Sequence, residues 1–376
     1  MRILHLCNKV PFPGRDGSSL AMESLIRLEA SLGHSVHVVA LNTEKHWVEH
    51  PASPIQGATL EAVAASTKPS VRTALANLFS RDSYYASRFW TPEASAVIAE
   101  RVQRADVVVL DSIFMAVYLN ELGTVPAILR AHNVEHAIWM RGLSDEPWFR
   151  RGYVALQAQR LKVWESQVAQ RVARIWTISP EDAEWFRRFG PVHTLPCTYD
   201  PEHGTWTETG AAEPTAYHLG ALDWTPNVRG MKWFLEEVAP LLHHAGVDVY
   251  SRQWPFGSAP KGVRYRADQP DFAEYGIFIA PIRSGSGMRI KLLEAMARGK
   301  AIVTTPLGAE GLNASHGTHL LLADSPSEFA AAMDELHQSA ELRSKLGSAA
   351  ALHARAQFSD HSAADGIARE LATFAS

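Results

Sequence analysis

The sequence predicts an α/β chain of two doubly wound domains, each a parallel sheet covered on both faces by helices. Three observations predict it. Short runs such as Val107–Leu110 (VVVL) are apolar at every position, as strands buried on both faces must be. These runs alternate with longer stretches of helical period. The alternation stops over residues 197–215, CTYDPEHGTWTETGAAEPT, which hold Pro, Gly, Thr and acids without apolar periodicity, and then resumes. A length of 376 residues suits two domains, and a cleft is expected between them.

The elements follow in order. The opening MRILHLCNKVPFPG is an apolar run ended by Pro and Gly, too short for a signal peptide, and reads as a first strand over Ile3–Cys7. Further strands are expected at Val36–Leu41, Val107–Leu110, Ala127–Arg130, Ile175–Ile178 and Val192–Leu195. Helical patterns fall between them at Ser19–Leu32, Pro92–Arg104, Ile113–Leu122 and Trp148–Arg174. Residues 43–90, with NLFSRDSYYASRFW, read as helices and a loop covering one edge. After the linker, strands are expected at Ala216–Leu219, Val247–Tyr250, Gly276–Ala280, Ala301–Thr304 and His319–Leu322. Helices are expected at Val228–His243, Met288–Arg298, Pro326–Leu336, Ala340–Gln357 and, as a final amphipathic segment, Ser362–Phe374.

A net charge of −4 and a pI near 6.5 argue against a nucleic-acid partner. Cys7 and Cys197 are far apart and lack metal-ligand spacing, which argues against a disulfide framework and a zinc site and fits a reducing cytoplasm. The pair His243 and His244 reads as helix surface. No stretch reaches the roughly 18 apolar residues of a membrane span, so a soluble or peripheral protein is expected.

The stretch with the most chemistry is GSGMRIKLLEAMARGKAIVTTPLGAEGL, residues 285–312. A glycine-serine loop runs into a helix carrying Arg289 and Lys291 in its first turns. Cations there oppose the helix dipole and cost about 0.3–1 kcal/mol each. A phosphate at that end reverses the sign: Gly285 and Gly287 admit close backbone approach, and Ser286 adds a hydroxyl. The loop follows the apolar run GIFIAPI and so lies at the carboxyl end of a strand, where open α/β sheets bind ligands. Glu294 is placed either to accept hydrogen bonds from ribose hydroxyls or to form an ion-pair chain with Lys291 and Arg298. A second glycine loop, PLGAEGL, brings Gly308, Glu310 and Gly311 to the same sheet edge.

These residues resemble the donor-binding signature of the retaining glycosyltransferases of family 4. That family has the GT-B fold, two Rossmann-like domains facing a cleft. MRILHLCNKVPFPGRDGSS resembles its opening strand and glycine loop, RAHNVEH its cleft histidine loop, and HLGALDWTPNVRGMKWFLEEVAPLL the first strand and helix of its nucleotide domain. FSDHSAADGIARELATF resembles the terminal helix that returns to the N-terminal domain. The resemblance implies an acceptor domain over 1–198, joined by a helix at 360–376, and a nucleotide-sugar domain over 212–358. It implies transfer from a UDP- or GDP-linked sugar, with retention and without metal or other cofactor. The acceptor would be a saccharide, a lipid-linked acceptor or a protein, in bacterial glycan or cell-envelope polysaccharide synthesis. By position, Glu294 matches the second Glu of the family's paired-Glu motif, Arg289 and Lys291 the diphosphate contacts, Gly17 the N-terminal loop glycine and His132 the cleft histidine. Ser286, Gly287, Gly308 and Glu310 complete the donor loops, and Asp111 and Glu135 are acceptor-side candidates.

The chain departs from the family at Ser286, where the first Glu of the motif belongs, and at GALDWTPNVRG, where Asp223 and Asn227 stand in place of the usual Arg and Lys. Two alternatives therefore stay open: a non-catalytic nucleotide-sugar-binding protein, and a sugar-nucleotide epimerase of the same fold. A dinucleotide oxidoreductase is disfavoured because NKVPFPGRDGSS lacks Gly-x-Gly-x-x-Gly. Residues 148–174 carry six cations, one acid and four aromatic residues. Such a helix can lie on anionic lipid as a peripheral contact at the inner face of a membrane. The plainer alternative, which is preferred, is a long helix with a solvated basic face and its aromatics in the core.

Overall fold

The computed structural model describes residues 1–14, 16–80, 82–199, 213–243, 246–285 and 287–374. Ser286, His244 and linker residues 200–212 lie outside these described residues. The chain forms two units, Met1–Thr198 with Ala363–Ser376, and Tyr199–Ser362.

The first unit holds β1 (Arg2–Cys7), α1 (Gly17–Ser31), β2 (Ser35–Thr43), β3 (Ala58–Ala65), α2 (Val71–Asn77), α3 (Tyr84–Ser87) and α4 (Pro92–Arg101). It continues through β4 (Val107–Asp111), β5 (Ala127–Ala131), α5 (Glu135–Arg141), α6 (Trp148–Arg171), β6 (Arg174–Thr177), α7 (Pro180–Phe186) and β7 (Val192–Thr194). The strands form one parallel sheet in the order β3-β2-β1-β4-β5-β6-β7. β4 (VVVLD) and β5 (AILRA) are buried along their whole length, including the charged Asp111 and Arg130 near their carboxyl ends. Side-chain caps start several of the helices. Asp16 forms a capping box with Ser19 on α1, Thr91 caps α4, and Ser179 caps α7.

Two expectations are corrected in this unit. Residues 43–90 contain the edge strand β3. Its sequence, ATLEAVAA, is half-buried and lacks the apolar run of a central strand, so periodicity missed it. Residues 113–118, expected to open an α-helix, wind as a tight 3₁₀ segment after Ser112. Ser112 has φ of 143°, a conformation open chiefly to glycine, which marks a strained turn at the carboxyl end of β4.

The second unit holds β8 (Ala216–Leu219), α8 (Thr225–Trp233), β9 (Val247–Tyr250), β10 (Val263–Arg266), β11 (Ile277–Ala280), α9 (Ile290–Ala297), β12 (Ala301–Thr304) and β13 (Leu321–Leu322). The helices α10 (Pro326–Gln338) and α11 (Ala340–Phe358) follow. The sheet is parallel, in the order β10-β9-β8-β11-β12-β13. Here too an edge strand escaped the sequence: β10, VRYR, exposes alternate residues and reads as polar. The helix expected over Val228–His243 is broken. After α8 the Ala239 N–H bonds back five residues to Phe234, and Pro240, which has no N–H, ends the regular ladder.

α8 presses closely on the exit of β11. A Cβ built at Gly230 would lie 1.8 Å from the Pro281 carbonyl oxygen, so only glycine permits this approach. Gly230→Ala is expected to lower unfolding stability by roughly 1–3 kcal/mol through overpacking against backbone. Denaturant melts of both proteins check this, and an unchanged midpoint would refute it.

The last helix, α12 (Asp360–Ala372), supplies Ala363, Ile367 and Leu371 to the core of the first unit, against Ile3, Leu25, Val107 and Leu195. The Trp176 indole N–H donates to Glu370 of this helix at 3.2 Å.

Candidate active site

In the second unit the donor-site candidates gather around the start of α9. Arg289 is the N-cap residue and not part of the first turn as expected; the helix begins at Ile290. Among the described residues no side chain caps this end and the first turn holds no acid. The Leu292 and Leu293 N–H groups donate to the Arg289 carbonyl at 2.8 and 3.2 Å, so only the foremost N–H groups of the helix suit an anion. The approach loop uses Gly285 (φ 113°) and Gly287 (φ 78°) in left-handed backbone. The Arg289 guanidinium folds back over Gly285, where an added Cβ would stand 2.9 Å from its Nη2.

Lys291 turns the other way. Its Nζ donates to Asn227 Oδ1 at 3.2 Å, and Asn227 Nδ2 donates to the Ala221 carbonyl at 3.0 Å. The residue keeps part of its surface exposed. Loss of water around its ammonium, with Arg289 nearby, still draws its pKa down to about 7. Lys291 therefore occupies a position that favours a neutral amine until an anion arrives.

His218 on β8 completes the group, and the sequence reading did not single it out. It is buried, and its Nδ1–H donates to the Ile279 carbonyl at 2.9 Å. Burial, with the Lys291 charge, lowers its pKa to about 3, so the ring is neutral and Nε2 carries a lone pair. That atom has no hydrogen-bond partner among the described residues. A Cβ at Gly220 would lie 2.8 Å from His218 Nε2 and 3.3 Å from Lys291 Nζ, so both atoms face the bare backbone of Gly220. A histidine inside the otherwise apolar strand AYHL was the available signal. The Ser284 hydroxyl, buried and without a hydrogen-bond partner among the described residues, is a further polar group in the loop before α9 that the sequence reading passed over.

Glu294 lies one turn further along α9. It accepts from Arg298 Nε at 3.1 Å and Nη2 at 2.9 Å, both on Oε1. The chain of three charges is not formed, because Lys291 goes to Asn227. The Arg298 guanidinium stacks over Phe272, and burial with the Glu294 charge pushes the Tyr199 hydroxyl up to about 12. Of the other donor candidates, Gly308 is buried and packs on Thr304: a Cβ there would collide with Thr304 Oγ1 at 2.1 Å. It shapes the loop. Glu310 is half-buried in the same loop, and Asp223 is exposed.

In the first unit, four side chains form a line through the core. Glu29 Oε2 meets His5 Nε2 at 2.5 Å, His5 Nδ1 faces Asp111 Oδ2 at 3.4 Å, and Asp111 Oδ1 meets His132 Nε2 at 2.6 Å. Glu29, His5 and Asp111 are wholly buried. Burial opposes the charge on His5, yet Glu29 and Asp111 outweigh it and hold its pKa well above the ordinary value. Burial likewise opposes ionisation of Asp111, but the hydrogen bond with His132 and the charge of His5 at 3.4 Å keep it well below the usual carboxylate range. Asp111, expected as an acceptor contact, is enclosed, so its reach ends at His132, which it orients.

Cys7 Sγ, His5 Nδ1 and an Asp111 oxygen lie within 4.8 Å of one another, a set that sequence spacing did not reveal. A protonated His5 has no lone pair to offer an ion, and burial raises the Cys7 thiol to about 11. The proton on His5 already supplies the positive charge between the two carboxylates.

Glu135 begins α5, and its neighbour Glu165 reaches across from α6. Glu165 accepts the backbone N–H groups of Glu135 at 2.9 Å and His136 at 3.1 Å, and pairs with His136 Nδ1 at 2.6 Å. Burial, followed by the Glu165 charge, raises Glu135 to about 7, where a carboxyl can both give and take a proton. Gly17 is the exposed first residue of α1. Beside it, Asp16 binds Lys9 Nζ at 2.6 Å. Burial opposes that charge, but Lys9 outweighs it and lowers Asp16 to about 2.

Comparison with known proteins identifies the family and the fold. Residues 16–198 match the family model described as glycosyl transferase 4-like domain, and residues 213–339 match glycosyl transferases group 1. The chain belongs to the GT-B glycosyltransferases of group 1, family-4-like type. It is 21% identical over 361 residues to an uncharacterized 44.6 kDa protein in the cps region of Klebsiella pneumoniae, covering 88% of this chain and 89% of that one. Among solved structures it is similar to sucrose-phosphate synthase from Thermosynechococcus elongatus (TM-score 0.71, 13% identity, 99% of each chain). It is also similar to HepE of Anabaena in complex with UDP and glucose (TM-score 0.67, 14% identity, 99% and 100% covered). A third is a point mutant of S. aureus TarM in complex with Fondaparinux, alpha-GlcNAc-glycerol and UDP (TM-score 0.69, 8% identity, all of each chain). No helix among the described residues is long and apolar enough to cross a membrane.

Proposed function

We propose that this glycosyltransferase is a retaining, metal-independent enzyme. It moves a hexosyl group from a UDP- or GDP-linked donor to a saccharide, lipid-linked or protein acceptor in bacterial cell-envelope polysaccharide synthesis. The observation that carries the reading is the half-buried Lys291 ammonium, beside Arg289 and held by Asn227 at 3.2 Å, next to a helix N-terminus without a side-chain cap among the described residues. A departing nucleoside diphosphate brings the negative charge that both features lack. Lys291, Arg289 and the α9 N–H groups hold the diphosphate, and no step calls for a Lewis acid. Glu294 accepts from ribose hydroxyls, and His132, oriented by Asp111, contacts the transferred sugar or the acceptor. UDP in the HepE and TarM complexes, and the cps-region relative, support the choice of donor and pathway.

A thermal-shift panel of nucleotide sugars tests the donor, since a ligand bound only by the folded state raises the melting temperature. Radiolabel transfer to a glycan extract then tests the reaction. A flat panel would reject the reading. Glu294→Gln should weaken UDP binding about tenfold or more, the loss of charge-assisted hydrogen bonds, and leave pyrophosphate binding unchanged. Titration calorimetry distinguishes the two ligands: an undiminished affinity for UDP removes Glu294 from the ribose site.

A further inference from the structure

We propose that α6, with the end of α2, is a docking surface for an anionic lipid bilayer. The plain reading of α6 expects its aromatics in the core, and at the start of the helix they are outside. Trp148 is 83% exposed and Phe149 is 68% exposed. Phe149, Leu156 and Val163 recur every seven residues, a spacing that drifts by only about 20° per step on a straight helix. All three are exposed and form one apolar stripe along α6.

The charge on this helix is one-sided. Its exposed positions include Arg150, Arg151, Lys162 and Arg171, although the chain as a whole carries a net charge of −4. Its one acid, Glu165, is buried away from the apolar stripe, holding the start of α5, and just before the helix Glu146 pairs with Arg150 at 3.7 Å. α2 extends the apolar surface. Gln157 Nε2 and Arg160 Nη1 donate to Asn77 Oδ1 at 2.9 and 3.0 Å, and so fasten the end of α2 to α6. Two residues further on, Phe79 is 96% exposed. An exposed apolar stripe flanked by exposed cations, with no exposed acid on the helix, matches a headgroup layer over acyl chains: the apolar side chains enter the interface and the long guanidinium and ammonium side chains reach lipid phosphates. Cations outnumber the acids at the ends of this face, Glu146 and Asp82, so a second copy of it offers few charge partners, which favours lipid over self-association. The inference rests on the first unit alone and stands apart from the donor site.

Co-sedimentation of the full-length protein with vesicles tests it, using phosphatidylglycerol with phosphatidylcholine, and phosphatidylcholine alone, at low and high salt. The expected result is binding to the anionic vesicles at least about tenfold tighter than to the neutral ones, weakened by salt. Trp148→Ser with Phe149→Ser, and separately Arg151→Glu with Lys162→Glu, should each lower that binding about tenfold or more. Both pairs change exposed side chains, and matched melting curves confirm that the fold is retained. Equal binding by wild type and variants, or equal affinity for neutral vesicles, would overturn the proposal. So would a dimer in sedimentation velocity that the serine pair abolishes, with no vesicle binding.

Discussion

Lys291→Met is expected to weaken UDP binding by about 30- to 1000-fold, the range for removing a charged donor from an enclosed anion site. Stability should stay level or rise, because a cation short of water gives way to an apolar chain of similar length. The two readouts moving in opposite directions separate a site residue from a structural one. The proton balance gives a sharper check. With its pKa near 7 the Lys291 amine is largely neutral at pH 8, and a diphosphate restores its charge. Binding of UDP at pH 8 should therefore take up nearly one proton, seen as a dependence of the calorimetric enthalpy on buffer ionisation. The variant should lose that uptake. The sign for folding also follows. The unfolded chain holds this proton up to about 10.5 and the folded chain releases it near 7, so stability gains from Lys291 as pH rises across that interval. Wild-type uptake near zero, or unchanged affinity in the variant, would remove Lys291 from the diphosphate site.

Asp111→Ala is the second large effect, expected to cost about 3–5 kcal/mol of stability because it strands the buried His5 charge beside a single carboxylate. The loss should depend on pH in a defined way. Asp111 has a depressed pKa, so its contribution is present above the ordinary value of 3.8 and fades as pH falls below it. His5 has a raised pKa, so its contribution is complete below 6.5 and fades as pH climbs toward the folded value. The difference between wild type and Asp111→Ala should thus peak between pH 3.8 and 6.5 in urea melts. A flat difference across that range would show that the Glu29–His5–Asp111–His132 line is not charged as described. Asp111→Asn, which keeps the shape and a hydrogen bond to His132, should recover part of the stability. It should still leave a lower kcat with donor KM unchanged, because the His132 ring loses the carboxylate that orients it.

Central strands were legible because burial on both faces leaves an unbroken apolar run, as in VVVL and AIVT. The edge strands β3 and β10 were not, because a half-solvated strand has no such run and its mixed pattern resembles a loop. α8 was read too long: its apolar spacing continues past Trp233, and the sequence does not show that Pro240 turns the ladder aside. In the site, the glycine loop and the cations at 289 and 291 could be found from sequence, since an unfavourable charge at a helix start signals a missing anion. Their directions could not. Arg289 folds over Gly285 while Lys291 crosses to Asn227, a contact between residues 64 positions apart.

Local pattern was enough for the α/β class, the alternation of elements and the glycine loop running into a cation-bearing helix start, because each rests on side chains within a few residues of one another. Pairing between distant segments came from folding alone. It places His218 against Lys291, encloses Asp111 between two imidazoles, and turns Trp148 and Phe149 outward. Burial and the approach of remote charges set those ionisation states and exposures, and both depend on which strands lie side by side.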